Sequence, residues 1–288
     1  MIVDAHHHLW RPERGYAWLD TPGLARIRRT FTPDDLRAEV TAAGVDRTIL
    51  VEGGRCHADE AREFLGYAAD TDVIAGVVAW ADVADPDLPA TIHRYRHLRG
   101  GDLLVGVRSQ IQAQLDPDYL DRVDVRRGLA TVAAAGLVFD LVIRVDQLPA
   151  AARAAQALPE LRLVLDHLGK PNINHGKAGL NRWRPPFEAL AACSNVAGKV
   201  SGLVTEAGPH WTADALRPFV AVAVRSFGPS RLMFGSDWPV CLLVAGYRDV
   251  LDALRQALPP LPAKDRSAIL GATATRVYRL TDRSGALT

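Results

Sequence analysis

The sequence predicts a single (β/α)8 barrel. Short β-branched and aliphatic runs alternate with helical periods along the whole chain. Polar residues recur at the C-terminal ends of those runs, whereas their interiors are Leu, Val and Ile. The 288 residues suit one barrel of about 250 residues with its closing elements. A doubly wound open sheet is the alternative, but such sheets usually carry fewer strands, and neither a G-x-G-x-x-G after a strand nor a G-x-x-x-x-G-K-[ST] loop occurs.

The eight candidate strands are Ile2–Ala5, Arg47–Glu52, Val73–Trp80, Leu103–Arg108, Leu137–Ile143, Leu161–His167, Val196–Ser201 and Arg231–Asp237. Helices fall between them. Thr32 followed by Pro33, Asp34 and Asp35 combines an N-cap, a first-position proline and first-turn acids. Ala61, Phe64, Leu65 and Ala68 share one helix face, and Tyr247, Val250, Leu251, Leu254 and Leu258 repeat the pattern. Asp146 is a candidate cap for the Ala-rich stretch ending at Leu158. The Arg-, Gly-, Pro- and Trp-rich segment 10–31 reads as a long first loop on the active-site face. Residues about 260–288 read as closing helices and a polar tail, so that 1–288 forms one domain.

Composition narrows the function classes. Hydrophobic residues make up 48% and charged residues 23%, as in an ordinary globular chain. Lys and Arg number 34 against 33 acids, a balance that argues against nucleic-acid or membrane-surface partners. Cys56, Cys193 and Cys241 are odd in number and widely spaced, as expected for free thiols in a reducing compartment. No apolar run reaches about 18 residues, and the start Met-Ile-Val-Asp-Ala-His lacks a signal-peptide pattern, so the expected location is the cytoplasm.

Catalytic groups of such barrels lie at C-terminal strand ends. Strand one ends in Asp4-Ala5-His6-His7-His8, where alternation puts His6 and His8 on one face and turns His7 away. Two imidazoles side by side have no packing rationale. Strand six ends in Asp166-His167 and strand eight in Gly235-Ser236-Asp237. Lys199 sits inside an apolar strand, where an unpaired Lys is seldom buried. Asp237 alone could cap a helix, and Arg108 could be an edge residue; the constellation points to chemistry more strongly than any member. His57, His93 and His97 fall on predicted helices and are expected in solvent.

Asp4-Ala5-His6-His7-His8-Leu9-Trp10, Gly106-Val107-Arg108, Asp166-His167-Leu168-Gly169-Lys170-Pro171, Lys199-Val200-Ser201-Gly202-Leu203-Val204-Thr205-Glu206 and Gly235-Ser236-Asp237-Trp238-Pro239 occur in that order. Together they resemble the amidohydrolase-related family and, more narrowly, its sugar-lactonase branch, whose relatives include 2-pyrone-4,6-dicarboxylate lactonase. The resemblance implies an amidohydrolase-like barrel that hydrolyses a small lactone, most simply an aldonolactone such as L-fuconolactone, in carbohydrate catabolism. It implies metal-ligand positions at His6, His8, His167 and Asp237. A two-metal centre is not expected, because Arg108 stands where a bridging Lys would be and no His ends strand five. Three His and one Asp suit one divalent ion such as Zn2+, while members of this branch that work without metal leave its requirement open.

On this reading Asp237 is the general base, with His167 and Lys199 as catalytic partners stabilising the oxyanion. Arg108 anchors substrate oxygens. Trp10 and Trp238, with Trp18 and Trp80, are candidate sugar-stacking residues, although packing beneath the loops is their alternative. Glu206 and His210 are candidate hydroxyl readers. A dicarboxylate pyrone would need several converging arginines, for which Arg28, Arg29, Arg55, Arg108 and Arg144 are available. Two other activities compete: a metal-dependent decarboxylase of the same superfamily, and a catalytically idle barrel that binds a sugar acid.

Overall fold

A computed structural model describes residues 1–281. Eight parallel strands form one sheet in sequence order: β1 (Val3–His7), β2 (Arg47–Val51), β3 (Ile74–Trp80), β4 (Leu104–Ser109), β5 (Val138–Leu141), β6 (Arg162–Leu165), β7 (Val196–Val200) and β8 (Leu232–Phe234). The amide of Asp237 donates to the His6 carbonyl (2.8 Å) and that of His8 to the Trp238 carbonyl (2.7 Å), which brings the two edges together into a barrel. The helices between strands are α1 (Pro33–Ala43), α2 (Ala58–Asp70), α3 (Leu88–Arg96), α4 (Val123–Ala134), α5 (Leu148–Ala157), α6 (Gly176–Ala191), α7 (Leu203–Ala207) and α8 (Ala213–Phe227). After β8 come α9 (Tyr247–Ala257), α10 (Ala263–Ser267) and α11 (Thr273–Val277).

Local chemistry accounts for these elements. Thr32 caps α1 as expected, accepting from the Asp35 amide while the Asp35 carboxylate accepts from the Thr32 amide. The predicted apolar faces of α2 and α9 are buried. Asp146 does not cap α5; its carboxylate accepts from Arg144, and α5 starts at Leu148-Pro149 with the pre-set proline backbone instead of a side-chain cap.

The two faces of the sheet bury different cores. Phe139, Leu141, Leu163, Leu165, Val196 and Val200 point outward into the large core beneath the helices. Val3, Ala5, Ile49, Val51, Val138, Val164, Ala197 and Met233 fill the barrel interior, and Ala274, Val277, Tyr278 and Leu280 pack against them from the C-terminal segment. The closing helices predicted beyond residue 260 are therefore a plug for the barrel base. The predicted tail from 282 to 288 lies outside the described residues.

Candidate active site

His6 and His8 point toward the barrel mouth because β1 changes phase, and of the two His8 lines the cavity there. Val3 and Ala5 face the interior, so strict alternation would aim His7 there and His6 outward. Between Asp4 and His7 the strand instead fits three residues against two of β2, and this bulge inverts the pattern. Asp4 anchors it. Its buried carboxylate accepts from the His6 amide (3.0 Å), the Ser236 amide (2.8 Å), the Ser236 hydroxyl (2.6 Å) and the Tyr247 hydroxyl (2.8 Å). His7 turns outward, its Nε2 3.0 Å from Thr48 Oγ1, as the sequence predicts.

His167 is reached differently. β6 stops at Leu165, and His167, Leu168, Gly169 and Lys170 all adopt left-handed backbone (φ 53, 51, 74 and 54). The expected strand over 161–167 is shorter for this reason. β8 likewise ends at Phe234, and Asp237 sits beyond it at φ 57.

These segments bring His6, His8, His167 and Asp237 together. Asp237 Oδ1 lies 3.7 Å from His6 Nε2, 3.5 Å from His8 Nε2 and 3.9 Å from His167 Nε2. The Nε2 atoms of His6 and His8 are 3.2 Å apart. His8 Nδ1 donates to the Val51 carbonyl (2.9 Å), which leaves a lone pair on its Nε2. His167 Nδ1 lies 2.9 Å from Ser201 Oγ. His6 Nδ1 is held between Asp166 Oδ1 (3.2 Å) and Lys199 Nζ (3.1 Å). With its proton facing Asp166, His6 offers an Nε2 lone pair; with Nδ1 accepting from Lys199, it offers an Nε2–H donor. Ligands about 2.0–2.1 Å from a tetrahedral zinc are separated by roughly 3.3 Å, so the Nε2 atoms of His6 and His8 with Asp237 Oδ1 fit one such ion, while His167 groups instead with His6 and Asp166. His6, His8 and Asp237 form one such compact donor group.

Electrostatics support neutral imidazoles beside an ionised acid. Burial pushes His167 down to about 4 and His6 well below its usual range. Burial alone would raise Asp237, but its interactions with His167, His8 and the Lys170 ammonium together hold it below the ordinary value.

Beneath this cluster runs a buried charged layer. Lys199, fully buried, donates to Asp140 Oδ2 (2.5 Å) and lies 3.0 Å from Asp166 Oδ1. Arg108 donates through Nη1 to Asp166 Oδ2 (2.8 Å), through Nε to Glu52 Oε1 (2.6 Å) and through Nη2 to the Glu52 carbonyl (2.6 Å). Burial opposes ionisation of Asp166, yet Lys199, His6 and Arg108 keep it well below the carboxylate range.

Above the cluster opens a cavity of ≈ 430 Å3, within the range of small-molecule sites. His8, His167, Asp237, Arg108, Trp18 and Lys170 are among its walls. Several predicted placements change. Lys199 does not reach the cavity; it lies behind His6 and Asp166. Arg108 reaches the floor with most of its donors already engaged. Trp10 and Trp238 do not line the cavity: both are buried, each ring is edge-on to Phe31, and the Trp10 indole donates to the Ile27 carbonyl. Proximity to a strand end did not reveal that these rings lie under the loop. Trp18 is the tryptophan at the mouth, its indole bonded to the Gly53 carbonyl (2.9 Å). Glu206 lines an adjoining basin, while His57, His93, His97 and His210 are exposed.

Glu52, Asp140, Asp166, Ser201 and Lys170 carried no assigned role in the sequence reading. An acid in the apolar run Val138-Phe139-Asp140-Leu141 and a lysine in Val196-Ala197-Gly198-Lys199-Val200 are a signal for cross-barrel pairing. Gly202 has a clear requirement: it adopts φ +65, and a Cβ there would lie 2.6 Å from His167 Nδ1.

Residues 3–280 match the amidohydrolase family. The chain belongs to that family. It is 37% identical over 297 residues to an L-fucono-1,5-lactonase of Burkholderia multivorans, with 99% of this chain and 98% of that protein covered. It is 34% identical to an L-fucono-1,5-lactonase of Burkholderia ambifaria, covering 98% and 97%. A crystal structure of a Burkholderia multivorans amidohydrolase with bound zinc superposes with a TM-score of 0.91 at 36% identity, covering 98% of this chain and all of that one.

Proposed function

We propose that this chain is a single-domain cytoplasmic lactonase, spanning residues 1–288, that opens a neutral aldonolactone such as L-fucono-1,5-lactone to its hydroxy acid. The observation that carries this reading is the Asp237 carboxylate, 3.5–3.9 Å from the Nε2 atoms of His6, His8 and His167, on the floor of a cavity with few cations. The relatives named L-fucono-1,5-lactonase support the substrate class. Of the arginines available to clamp a dicarboxylate, only Arg108 is in the cavity wall, and Glu52 and Asp166 already neutralise it.

Asp237 takes the proton of a water as its oxygen bonds to the lactone carbonyl carbon. An Nε2–H of neutral His6 or His167 and the remaining Arg108 N–H donate toward the developing oxyanion. The ring C–O bond then breaks, and Asp237 returns its proton to the departing ring oxygen. Asp166 and Lys199 keep the His6 ring oriented. A divalent ion such as zinc, held by His6, His8 and Asp237 with His167 beside them, would supply Lewis-acid stabilisation of the carbonyl oxygen.

Purified protein is expected to release acid from L-fuconolactone within a panel of aldonolactones in a pH-stat. Elemental analysis is expected to give no more than one divalent ion per chain, because Arg108 replaces a bridging lysine. Activity only on a pyrone dicarboxylate or in decarboxylation would overturn the substrate class, and two tightly bound ions would overturn the single site.

A further inference from the structure

Lys170 is the one cation of the cavity wall, among the described residues, whose charge is not committed to an ion pair. Arg108 is the other Lys or Arg there, and it is committed to Glu52 and Asp166. Lys170 makes no ion pair among the described residues; its ammonium acts through space on Asp237, His167 and Glu206.

The backbone goes to unusual lengths to put it there. His167, Leu168 and Lys170 are non-glycine residues in left-handed backbone, a conformation that clusters at functional sites. The Lys170 amide donates to the His167 carbonyl (2.9 Å), and the Trp183 indole donates to the Leu168 carbonyl (2.7 Å). One strained turn thus aims both His167 and Lys170 at the same cavity.

Lys170 also stands at a boundary. The cavity and an outer basin of ≈ 370 Å3 share Lys170 and Gln112 as walls. The outer basin adds the exposed Arg182, together with Arg144, Asn172 and Glu206. A product leaving the cavity in this direction passes the ammonium.

The reaction creates the charge such a site would recognise. A neutral lactone and water become a hydroxy acid: one C–O bond forms to water, the ring C–O bond breaks, the ring oxygen leaves as a hydroxyl, and the new acid loses a proton to solvent. A carboxylate then appears beside the Asp237 carboxylate, which repels it. We propose that Lys170 is the product-carboxylate site, binding the aldonate anion at the boundary between cavity and outer basin. This rests on the lactonase reading and adds a specificity-determining residue to it.

The test compares inhibition of lactone hydrolysis by the matching aldonate and by its uncharged alditol, in wild type, Lys170→Met, Lys170→Asn and Lys170→Arg. Asn tolerates left-handed backbone and guards against a folding defect in the Met variant. Losing a charge-assisted contact is expected to weaken aldonate inhibition about 10- to 100-fold, with a much smaller effect on the alditol, and Arg is expected to retain most of the aldonate affinity. Equal losses for aldonate and alditol, or unchanged aldonate inhibition in both neutral variants, would overturn the assignment while leaving the lactonase reading intact. Absence of wild-type turnover across the lactone panel would overturn both.

Discussion

Asp237 can be a base only if its carboxylate is ionised and aimed at the reacting water. Its left-handed backbone and its amide bond to the His6 carbonyl fix its position at the seam between β8 and β1. Gly202 leaves room behind it, since a Cβ there would come within 3.2 Å of Asp237 Oδ2. Asn keeps this shape and removes the basicity, so Asp237→Asn is expected to lower kcat by about 10²–10⁴-fold in a protein that still folds and still binds the aldonate. In wild type the rate is present where Asp237 is ionised and is lost as pH falls through its depressed pKa. The acid limb should therefore lie below the free-aspartate value of about 3.9, provided the fold survives there. Near-normal kcat in folded Asp237→Asn would transfer the role of base to another group.

At the scale of elements, much was legible. Strand positions follow from the period of apolar residues, and β2 and β7 begin where the sequence places them. His6 and His8 share a face as predicted, but the bulge that aims this face inward depends on Asp4 meeting Ser236 and Tyr247 from the far end of the chain. The left-handed turn after β6 is invisible to propensity because three of its four residues disfavour that backbone. Trp10 and Trp238 were misplaced because sequence gives the position of a ring along the chain, not whether it lies above or below a loop. α2 carries another feature hidden from sequence. Glu60, in its first turn, is buried and accepts from the Gly53 amide (3.0 Å), close to Glu52. Burial, reinforced by Glu52, raises its pKa to about 8. A carboxyl raised in the folded state contributes stability that is fully present below its unfolded pKa of about 4.3 and is lost as pH rises through the folded value. Wild type should lose this contribution between about pH 4.5 and 8, and Glu60→Gln should flatten the slope. Denaturant titrations at pH 5, 7 and 9 check it; parallel profiles for the two proteins would mean Glu60 is ionised in the folded state.

Across the whole molecule, the C-terminal segment closes the barrel and reaches toward the charged layer beneath the imidazole cluster. Tyr278, fully desolvated at the base, donates its hydroxyl to Asp140 Oδ1 (2.7 Å), while Lys199 occupies Asp140 Oδ2 and Lys199 in turn neighbours Asp166 and His6. The plug thus contributes a polar contact as well as apolar packing, and the last helix is tied to a layer built from β5, β6 and β7. Removing the hydroxyl leaves a buried acceptor without its donor, which costs about 1–3 kcal/mol, so Tyr278→Phe should lower unfolding stability by that amount. The pH dependence has a definite sign. Burial raises Asp140 to about 6, against the pull of Lys199 and of the Tyr278 hydrogen bond, both of which favour its ionised form. Without the hydroxyl its folded pKa rises further, so the deficit of the variant should be smaller at pH 5, where Asp140 is mostly protonated in both proteins, and larger at pH 8. Because Tyr278 touches neither the cavity nor the imidazoles, stability should respond more than kcat. Urea midpoints at the two pH values, with steady-state rates beside them, decide the matter: an unchanged midpoint at pH 8 would show that the tyrosine hydroxyl is not what holds the base of the barrel to its charged layer.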